Sequence, residues 1–447
     1  MINPKAFKEY DIRGVYPDEV DEDFAYKTGC AFVCFLNQEN PEIAVGRDGR
    51  ASSESLFNSF KKGVTDSGGV VLNVGLSTTP MLNFAICSYN CSGGAVITAS
   101  HNPPEFNGIK LMKEEAVEIY GDGLQEIKKI AEEVDLNKVE NKEERDVSKE
   151  VLERYTSHIV SFGKDIKDIK IVVDYGNSVS SLTGLSVFKK LKIDTIDLYQ
   201  KVDGCFPNHN PEPKIENASE LIKTIRKENA SAGIFFDGDG DRVLVFDNEG
   251  EIIPTDALIS FLIKEEISES EEKKVYLDLC FSKSTFREVE KQGGKVTMMR
   301  VGNPFYKEKL INEGGLLGAE LSGHIMHKDN FYIDDGLFAT VKVLNLLSLK
   351  SEKLSEMIKP FKNYHRTPVI NIEVKNKDEV LKKVEDSFPE GRKIEIDGVY
   401  LEFNDWWFNL RKSNTENLVR LVIEAETEEL LKQRKEEVIG AINQLLL

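Results

Sequence analysis

One local pattern returns three times along this chain, and that repetition constrains the fold more than any other feature. In the first copy the apolar run Ile43-Ala44-Val45-Gly46 breaks into the polar loop Arg47-Asp48-Gly49-Arg50. Ser52 or Ser53 can cap the helix that follows, whose apolar positions Leu56, Phe57, Phe60 and Val64 share one face. Gly68-Gly69 stops it, and a second apolar run over residues 70–74 reads as a strand. A strand–helix–strand unit of this kind calls for parallel pairing of its strands. The second copy starts at Ile171, passes through Asp174-Tyr175-Gly176-Asn177-Ser178 and a helix carrying Leu185, Phe188 and Leu191, and ends in the strand over residues 195–198. The third starts at Val275, continues through Phe281-Ser282-Lys283-Ser284 and a helix carrying Phe286 and Val289, and ends in Val296-Thr297-Met298-Met299. The uneven spacing of the three starts argues for three related domains and against a solenoid of short repeats.

Each copy also closes alike, with a later strand running into a polar loop: Ile97-Thr98-Ala99-Ser100, Phe236-Asp237-Gly238-Asp239, and Leu317-Gly318-Ala319-Glu320-Leu321-Ser322. In α/β domains ligands gather outside such carboxyl ends of strands. From about Asn363 the pattern changes. Residues 369–374 alternate, residues 377–388 read as a helix, and a run of adjacent strands follows, with hairpin signals at Asp397-Gly398 and Asn404-Asp405. A last helix carries Leu430, Leu431, Val438, Ile439 and Ile442. These readings divide the 447 residues into domains 1–146, 147–250, 251–363 and 364–447, the last a small antiparallel α+β domain. The charged stretches 132–149 and 265–274 read mostly as solvated linkers or helix faces, the first marking a boundary.

With 58 Lys and Arg against 77 Asp and Glu, the net charge is -19, which argues against non-specific nucleic-acid binding. No run approaches the roughly 18 apolar residues of a membrane span. The N-terminal MINPKAFKEYDIRG lacks the apolar core of a secretory signal, so a cytoplasmic protein is expected. The six cysteines include two i,i+4 pairs, Cys30/Cys34 and Cys87/Cys91. Zinc sites more often use two-residue gaps, so buried reduced thiols are the expectation.

Four loops carry chemistry. In Thr98–Lys110 (TASHNPPEFNGIK) a serine leaves a strand and enters a stiff Pro-Pro loop, with His101 beside it and Lys110 at the next apolar pair. A fixed hydroxyl, an imidazole and an ammonium suit a covalent step on an anionic group. Asp237-Gly238-Asp239-Gly240-Asp241-Arg242 offers three carboxylates that two glycines let converge, a donor set for a hard cation, Mg²⁺ or Ca²⁺. It is not an EF-hand, because Arg242 holds the sixth position and Asn248 the twelfth. Glu320, Ser322 and His324 share one loop, where carboxylate and hydroxyl can bind adjacent sugar hydroxyls. Arg411-Lys412-Ser413-Asn414-Thr415 is a phosphate cradle by composition, with Arg420 adding charge. Near the N-terminus Tyr10 and Arg13 stand out in EYDIRG. The pairs Trp406-Trp407 and Phe331-Tyr332 read as packing aromatics, and His158, His209, His327 and His365 show no partner pattern.

In this order the four loops resemble those of the α-D-phosphohexomutases, and the resemblance spans essentially the whole chain. It implies three similar mixed α/β domains plus a C-terminal α+β domain like the TATA-binding-protein fold, around a central cleft. It implies a phosphoserine at Ser100, Mg²⁺ on Asp237, Asp239, Asp241 and one phosphoserine oxygen, and His324 as a candidate general acid/base. EYDIRG would lie at the mouth of the cleft with Arg13 near phosphate, and Tyr10 and Arg242 would join Glu320, Ser322, Arg411, Ser413, Asn414, Thr415 and Arg420 on substrate. The implied reaction moves phosphate between O1 and O6 of a hexose, with hexose 1,6-bisphosphate as activator and intermediate. The expected partners are small-molecule hexose phosphates, with no nucleic acid and no membrane, for a monomer or dimer. Leu321 and the Ser413-Asn414-Thr415 sequence resemble the mannose/glucose branch. A phosphoglucosamine mutase is similar but favours GEQSGH with RPSGTEP. A non-catalytic sugar-phosphate-binding relative is the alternative from another class. Asn303 stands where the family often has His, Cys280 where some members carry Lys, and Asn417 where Pro is usual.

Overall fold

Apolar strands alternating with amphipathic helices build mixed sheets in the first three-quarters of the chain and an antiparallel sheet in the last. A computed structural model of the protein describes residues 2–133, 143–413 and 417–443. They form two compact units. The first takes in the chain up to Ile253 with Lys307–Glu313 and Ser322–Ser355; the second takes in Pro254–Tyr306, Gly314–Leu321 and the chain from Glu356.

In the first unit one sheet runs in the order Ile12–Val15, Phe106–Lys113, Gly93–Ile97, Glu42–Arg47, Val70–Leu76, Glu144–Asp146. Glu42–Arg47 pairs in parallel with Val70–Leu76 and with Gly93–Ile97, as a strand–helix–strand unit requires. Phe106–Lys113 returns antiparallel and sets Val96 opposite Lys110, which brings that lysine to the end of the strand leading to Ser100. Ile43, Val45, Leu56, Phe60, Ile97 and Ile109 are wholly buried in the core beneath. The stretch 132–149 is not all linker, since Glu144–Asp146 pairs in parallel with Val70–Leu76. Nor does a serine side chain cap the helix Ser53–Asp66. Ser52 Oγ accepts from Asn107 Nδ2 at 2.8 Å, and Ser53 Oγ donates to Asp48, so both hydroxyls tie loops together.

The second sheet of this unit runs Ile252–Ile253, Val243–Phe246, Ala232–Phe236, Lys170–Asp174, Asp194–Leu198. Lys170–Asp174 is parallel to both neighbours, while Ala232–Phe236 and Val243–Phe246 form an antiparallel hairpin. The three aspartates of 237–241 therefore sit at the tip of a hairpin whose strands are almost entirely buried. An isolated bridge between Arg242 and His324 ties Ser322–His327 to that tip, and Asp335 caps the buried helix Gly336–Ser348 through Leu337 N and Phe338 N.

In the second unit Lys274–Asp278 lies between Lys295–Met299 and Leu317–Ala319, parallel to both. The C-terminal sheet is antiparallel throughout, with Leu418–Ala425 pairing Trp406–Lys412, Ile370–Glu373 and His365–Arg366. The helices Lys377–Asp386 and Glu428–Asn443 pack on it over Val380, Val384, Val438 and Ile442. Trp406 and Trp407 are buried, as packing aromatics should be, and Phe331, though 43% exposed, still packs its ring against those of Phe84 and His158. The six cysteines are free, but Cys34 and Cys205 are exposed, against the expectation of burial. Among the described residues no helix is long and apolar enough to cross a membrane.

Candidate active site

The serine loop is built from the backbone outward. Asp48 N donates to Ile97 O at 2.9 Å, and Thr98 Oγ1 donates to Asp48 Oδ2 at 2.7 Å. Thr98 Oγ1 also accepts from Ser100 N at 2.9 Å. These contacts hold Ser100 at φ 49°, a left-handed conformation that costs a serine about 1–3 kcal/mol. The result is a hydroxyl fixed at the strand exit, 3.2 Å from Asp237 Oδ2 and 3.1 Å from His101 Nδ1. Burial, with Arg242 and Arg13 close by, pushes the His101 pKa down to about 2, so its ring is neutral. Arg13 Nη1 donates to Asn102 Oδ1 at 2.6 Å and pairs with Asp11, and Tyr10 is half-buried three residues before it.

The acidic loop packs directly on this serine. A Cβ at Gly238 would meet Ser100 O at 2.2 Å, and Gly240 takes φ 80°, so both glycines are needed where they stand. Gly240 N donates to Asp237 Oδ1 at 2.9 Å, and the carboxylates of Asp237, Asp239 and Asp241 bring ligand atoms within 4.8 Å of one another. Lys110 Nζ lies 2.8 Å from Asp239 Oδ2 and 2.6 Å from Asp241 Oδ2. Thr79 Oγ1 donates to the same Asp239 oxygen at 2.7 Å, and Arg242 Nε donates to Asp237 Oδ2 at 2.9 Å. Burial acts to raise Asp239, but Lys110 and Thr79 outweigh it and hold that carboxyl below its usual range. Asp237 goes the other way, raised by burial and by Asp241. Burial acts to lower Lys110, and Asp239 and Asp241 more than reverse it, so the ammonium is firmly charged.

The donor set fits a hard cation. Asp239 Oδ1 and Asp241 Oδ1 are buried and have no hydrogen-bond partner, although the other oxygen of each is taken by Lys110. A buried carboxylate oxygen left so is costly, and a bound ion removes the cost. Asp241 also stands with His324 and Asp334 in a second group with ligand atoms within 4.8 Å. His324 Nδ1 is 2.7 Å from Ser322 Oγ, and Nε2 lies 3.7 Å from Asp241 Oδ1 and 3.9 Å from Asp334 Oδ2. Burial lowers the His324 pKa to about 4 against the pull of Asp241.

In the second unit Glu320 follows the strand Leu317–Ala319 and is 8% exposed. Asp278, at the end of the neighbouring strand, accepts from Cys280 N at 2.6 Å and from Leu321 N at 3.4 Å, which fixes the backbone after Glu320. Arg411 is directly opposite Arg420 in the antiparallel register. Like charges thus stand directly opposite each other on one ladder. Ser413 is buried at the end of that strand, where its carbonyl accepts from Lys377 Nζ at 2.9 Å. Asn414 and Thr415 lie outside the described residues.

Models of the phosphoglucomutase/phosphomannomutase family match the chain in order. Alpha/beta/alpha domains I, II and III match residues 4–138, 153–250 and 254–364, and the C-terminal domain matches 369–441. The chain belongs to this family. A phosphomannomutase of Methanocaldococcus jannaschii is 33% identical over 98% of both chains. A phosphomannomutase/phosphoglucomutase of Pseudomonas aeruginosa strain PAO1 is 34% identical over 96% of this chain and 93% of its own. The crystal structure of a phosphoglucomutase/phosphomannomutase family protein from Burkholderia thailandensis superposes with a TM-score of 0.93 at 30% identity, over 100% of this chain and 98% of that one.

Within this family member, several polar residues around the serine and the acidic loop escape the sequence motifs. Thr79 and Arg50 meet the loops from far along the chain, and Asp334 shares a cluster with Asp241 and His324. Glu118, whose pKa burial raises to about 7 against the pull of Lys110, belongs to the same electrostatic surroundings. Three histidines without a partner pattern do have partners. His327 accepts at Nδ1 from Asp329 N at 3.1 Å. His209 Nε2 is 3.1 Å from Asp174 Oδ1 and its Nδ1 is 2.8 Å from Asn210 O, while His158 Nε2 is 3.0 Å from Asn330 Oδ1. Both nitrogens of His209 face oxygen acceptors, and Asp174 outweighs burial to raise its pKa.

Proposed function

We propose that the protein is a phosphomannomutase/phosphoglucomutase that interconverts hexose 1-phosphate and hexose 6-phosphate through a phosphoserine at Ser100 and a hexose 1,6-bisphosphate. The observation that carries the reading is the left-handed Ser100, with its hydroxyl 3.2 Å from an aspartate of a triad that has buried oxygens accepting no hydrogen bond. Asp237, Asp239 and Asp241, with one oxygen of phosphoserine 100, would hold Mg²⁺. When bound, the ion supplies positive charge against the charge spread over a transferring phosphoryl group.

The chain's own residues do the rest. The free hydroxyl of a bound hexose phosphate attacks phosphorus, the P–Oγ bond of Ser100 breaks, and its electron pair stays on Oγ. His101 Nδ1, 3.1 Å from Oγ, is placed to hydrogen-bond that oxygen. In the tautomer whose Nδ1–H donates to Ser322 Oγ, His324 carries a lone pair on Nε2 and is the base that takes the sugar proton. Lys110 adds fixed positive charge beside the acidic loop. After the bisphosphate reorients, the other phosphate returns to Ser100 and the proton returns to the sugar oxygen. Glu320 and Ser322 bind sugar hydroxyls, and Arg411, Ser413, Asn414, Thr415 and Arg420 hold the phosphate that does not react, with Tyr10, Arg13 and Arg242 also on substrate. The reading keeps four domains, divided after residues 146, 250 and 363, in a cytoplasmic monomer or dimer.

Arg411→Ala should raise KM for hexose 1-phosphate about tenfold or more, since charge-assisted hydrogen bonds to phosphate contribute roughly 1.5–3 kcal/mol. Phosphate should still load onto Ser100 in that variant. Steady-state kinetics and intact mass check the pair, and an unchanged KM removes Arg411 from substrate. The function itself is tested with mannose, glucose and glucosamine 1-phosphates in a coupled assay for the 6-phosphates. Turnover of the mannose and glucose compounds is expected. Exclusive turnover of glucosamine 1-phosphate would move the protein to the other branch, and inorganic phosphate without isomerised product would make it a phosphatase.

A further inference from the structure

Arg50 ends the polar loop of the first repeat, one strand away from Ser100, and none of its side chain is exposed. Its guanidinium has five N–H donors, and each has an acceptor. Nη2 donates to Ser100 O at 2.9 Å and to Asn102 O at 2.6 Å. Nη1 donates to Pro103 O at 2.6 Å and to Phe106 O at 3.0 Å. Nε donates to Asp48 Oδ2 at 3.1 Å. The same carboxylate receives Thr98 Oγ1, which in turn accepts from Ser100 N. One buried cation thus gathers four carbonyls of the serine loop, and one carboxylate aligns that cation and, through Thr98, the Ser100 amide.

The clamp is covered from the second sheet's side. Phe206 lies under the guanidinium, 5.1 Å from ring centroid to Cζ. Gly204 sits so close that a Cβ there would meet Gly49 O at 2.4 Å and the Arg50 Cα at 2.5 Å. No donor of Arg50 remains for a ligand. The left-handed Ser100, whose carbonyl is one of the four, is the strained residue in the loop.

We propose that Arg50 is a positioning residue for phosphoryl transfer, which sets the Ser100 hydroxyl against the acidic loop by gathering the carbonyls of residues 100–106. The inference rests on the phosphoserine reading of Ser100. It predicts a requirement for arginine, because a planar fork spans several carbonyls and an ammonium of three donors on a flexible stem does not. It also predicts where the effect falls. A hydroxyl displaced by about 1 Å loses on the order of a hundredfold in rate, while substrate contacts that Arg50 never makes are unchanged.

The test uses full-length Arg50→Lys and Arg50→Ala, with Mg²⁺ and hexose 1,6-bisphosphate, alongside the unsubstituted protein. Circular dichroism selects folded protein. For Arg50→Lys, kcat should fall about thirtyfold or more, with KM for glucose 1-phosphate within about threefold. Millimolar guanidinium, far below denaturing concentration, should restore part of kcat to Arg50→Ala and none to Arg50→Lys. If Arg50→Ala does not fold, Arg50→Lys alone decides. Folded Arg50→Lys with near-normal kcat overturns the proposal, as does a rise in KM that accounts for the whole loss. Failure of the underlying reading looks different: unsubstituted protein that takes no phosphate on Ser100, or Ser100→Ala protein with normal turnover.

Discussion

Ser100→Ala should lose mutase turnover by on the order of 10⁴-fold or more while remaining folded, because removing a covalent nucleophile removes the reaction path itself. The loop is held by backbone contacts that do not involve the hydroxyl. Ser100 N still reaches Thr98 Oγ1, and Ser100 O still meets Arg50. The substitution therefore deletes one oxygen from a scaffold that persists. Thermal unfolding should change little, and hexose phosphate should still bind, since the residues assigned to sugar and phosphate are untouched. Kinetics with product detection, beside a melting curve, check both halves. A folded Ser100→Ala protein turning over at the normal rate would end the covalent reading.

Removing divalent metal should be nearly as severe. Chelation should abolish turnover and Mg²⁺ should restore it, whereas Asp239→Asn should lose rate and weaken the metal response together. The reason is local. Asp239 brings one buried oxygen without a partner to the triad and binds Lys110 and Thr79 with the other. An amide there gives up charge toward the cation and turns two donors toward a site built for acceptors. Metal titrations of activity in both proteins measure the effect. Equal Mg²⁺ dependence in the two would make the loop structural.

What could be read in the sequence follows from how far apart the cooperating residues lie. Ser100 and His101 are adjacent, and the three aspartates alternate within one hairpin tip, so each loop's chemistry is visible in a few consecutive letters. The strand–helix–strand repeats were equally legible, because their apolar periodicity is local and the parallel pairing follows from connection geometry. Arg50 is the opposite case. It stands in the sequence as one more polar loop residue, and only the sheet order that sets Glu42–Arg47 beside Gly93–Ile97 brings it to carbonyls fifty residues on. Separations of 160 and 35 residues likewise hide Thr79 from Asp239 and Asp174 from His209. The i,i+4 spacing of Cys30 and Cys34 puts both thiols on roughly one side of a helix. It does not say where the buried stripe ends, and Cys34 falls outside it.

The central claim is that Ser100 carries the phosphoryl group. Enzyme loaded with hexose 1,6-bisphosphate and freed of excess should show one added phosphate by intact mass, mapped to the peptide containing Ser100. Mixing it with stoichiometric glucose 6-phosphate in Mg²⁺ should remove that phosphate within a turnover and yield glucose 1,6-bisphosphate in equal amount. Phosphate that never appears on Ser100, or that remains there while isomerised product accumulates, would contradict the account.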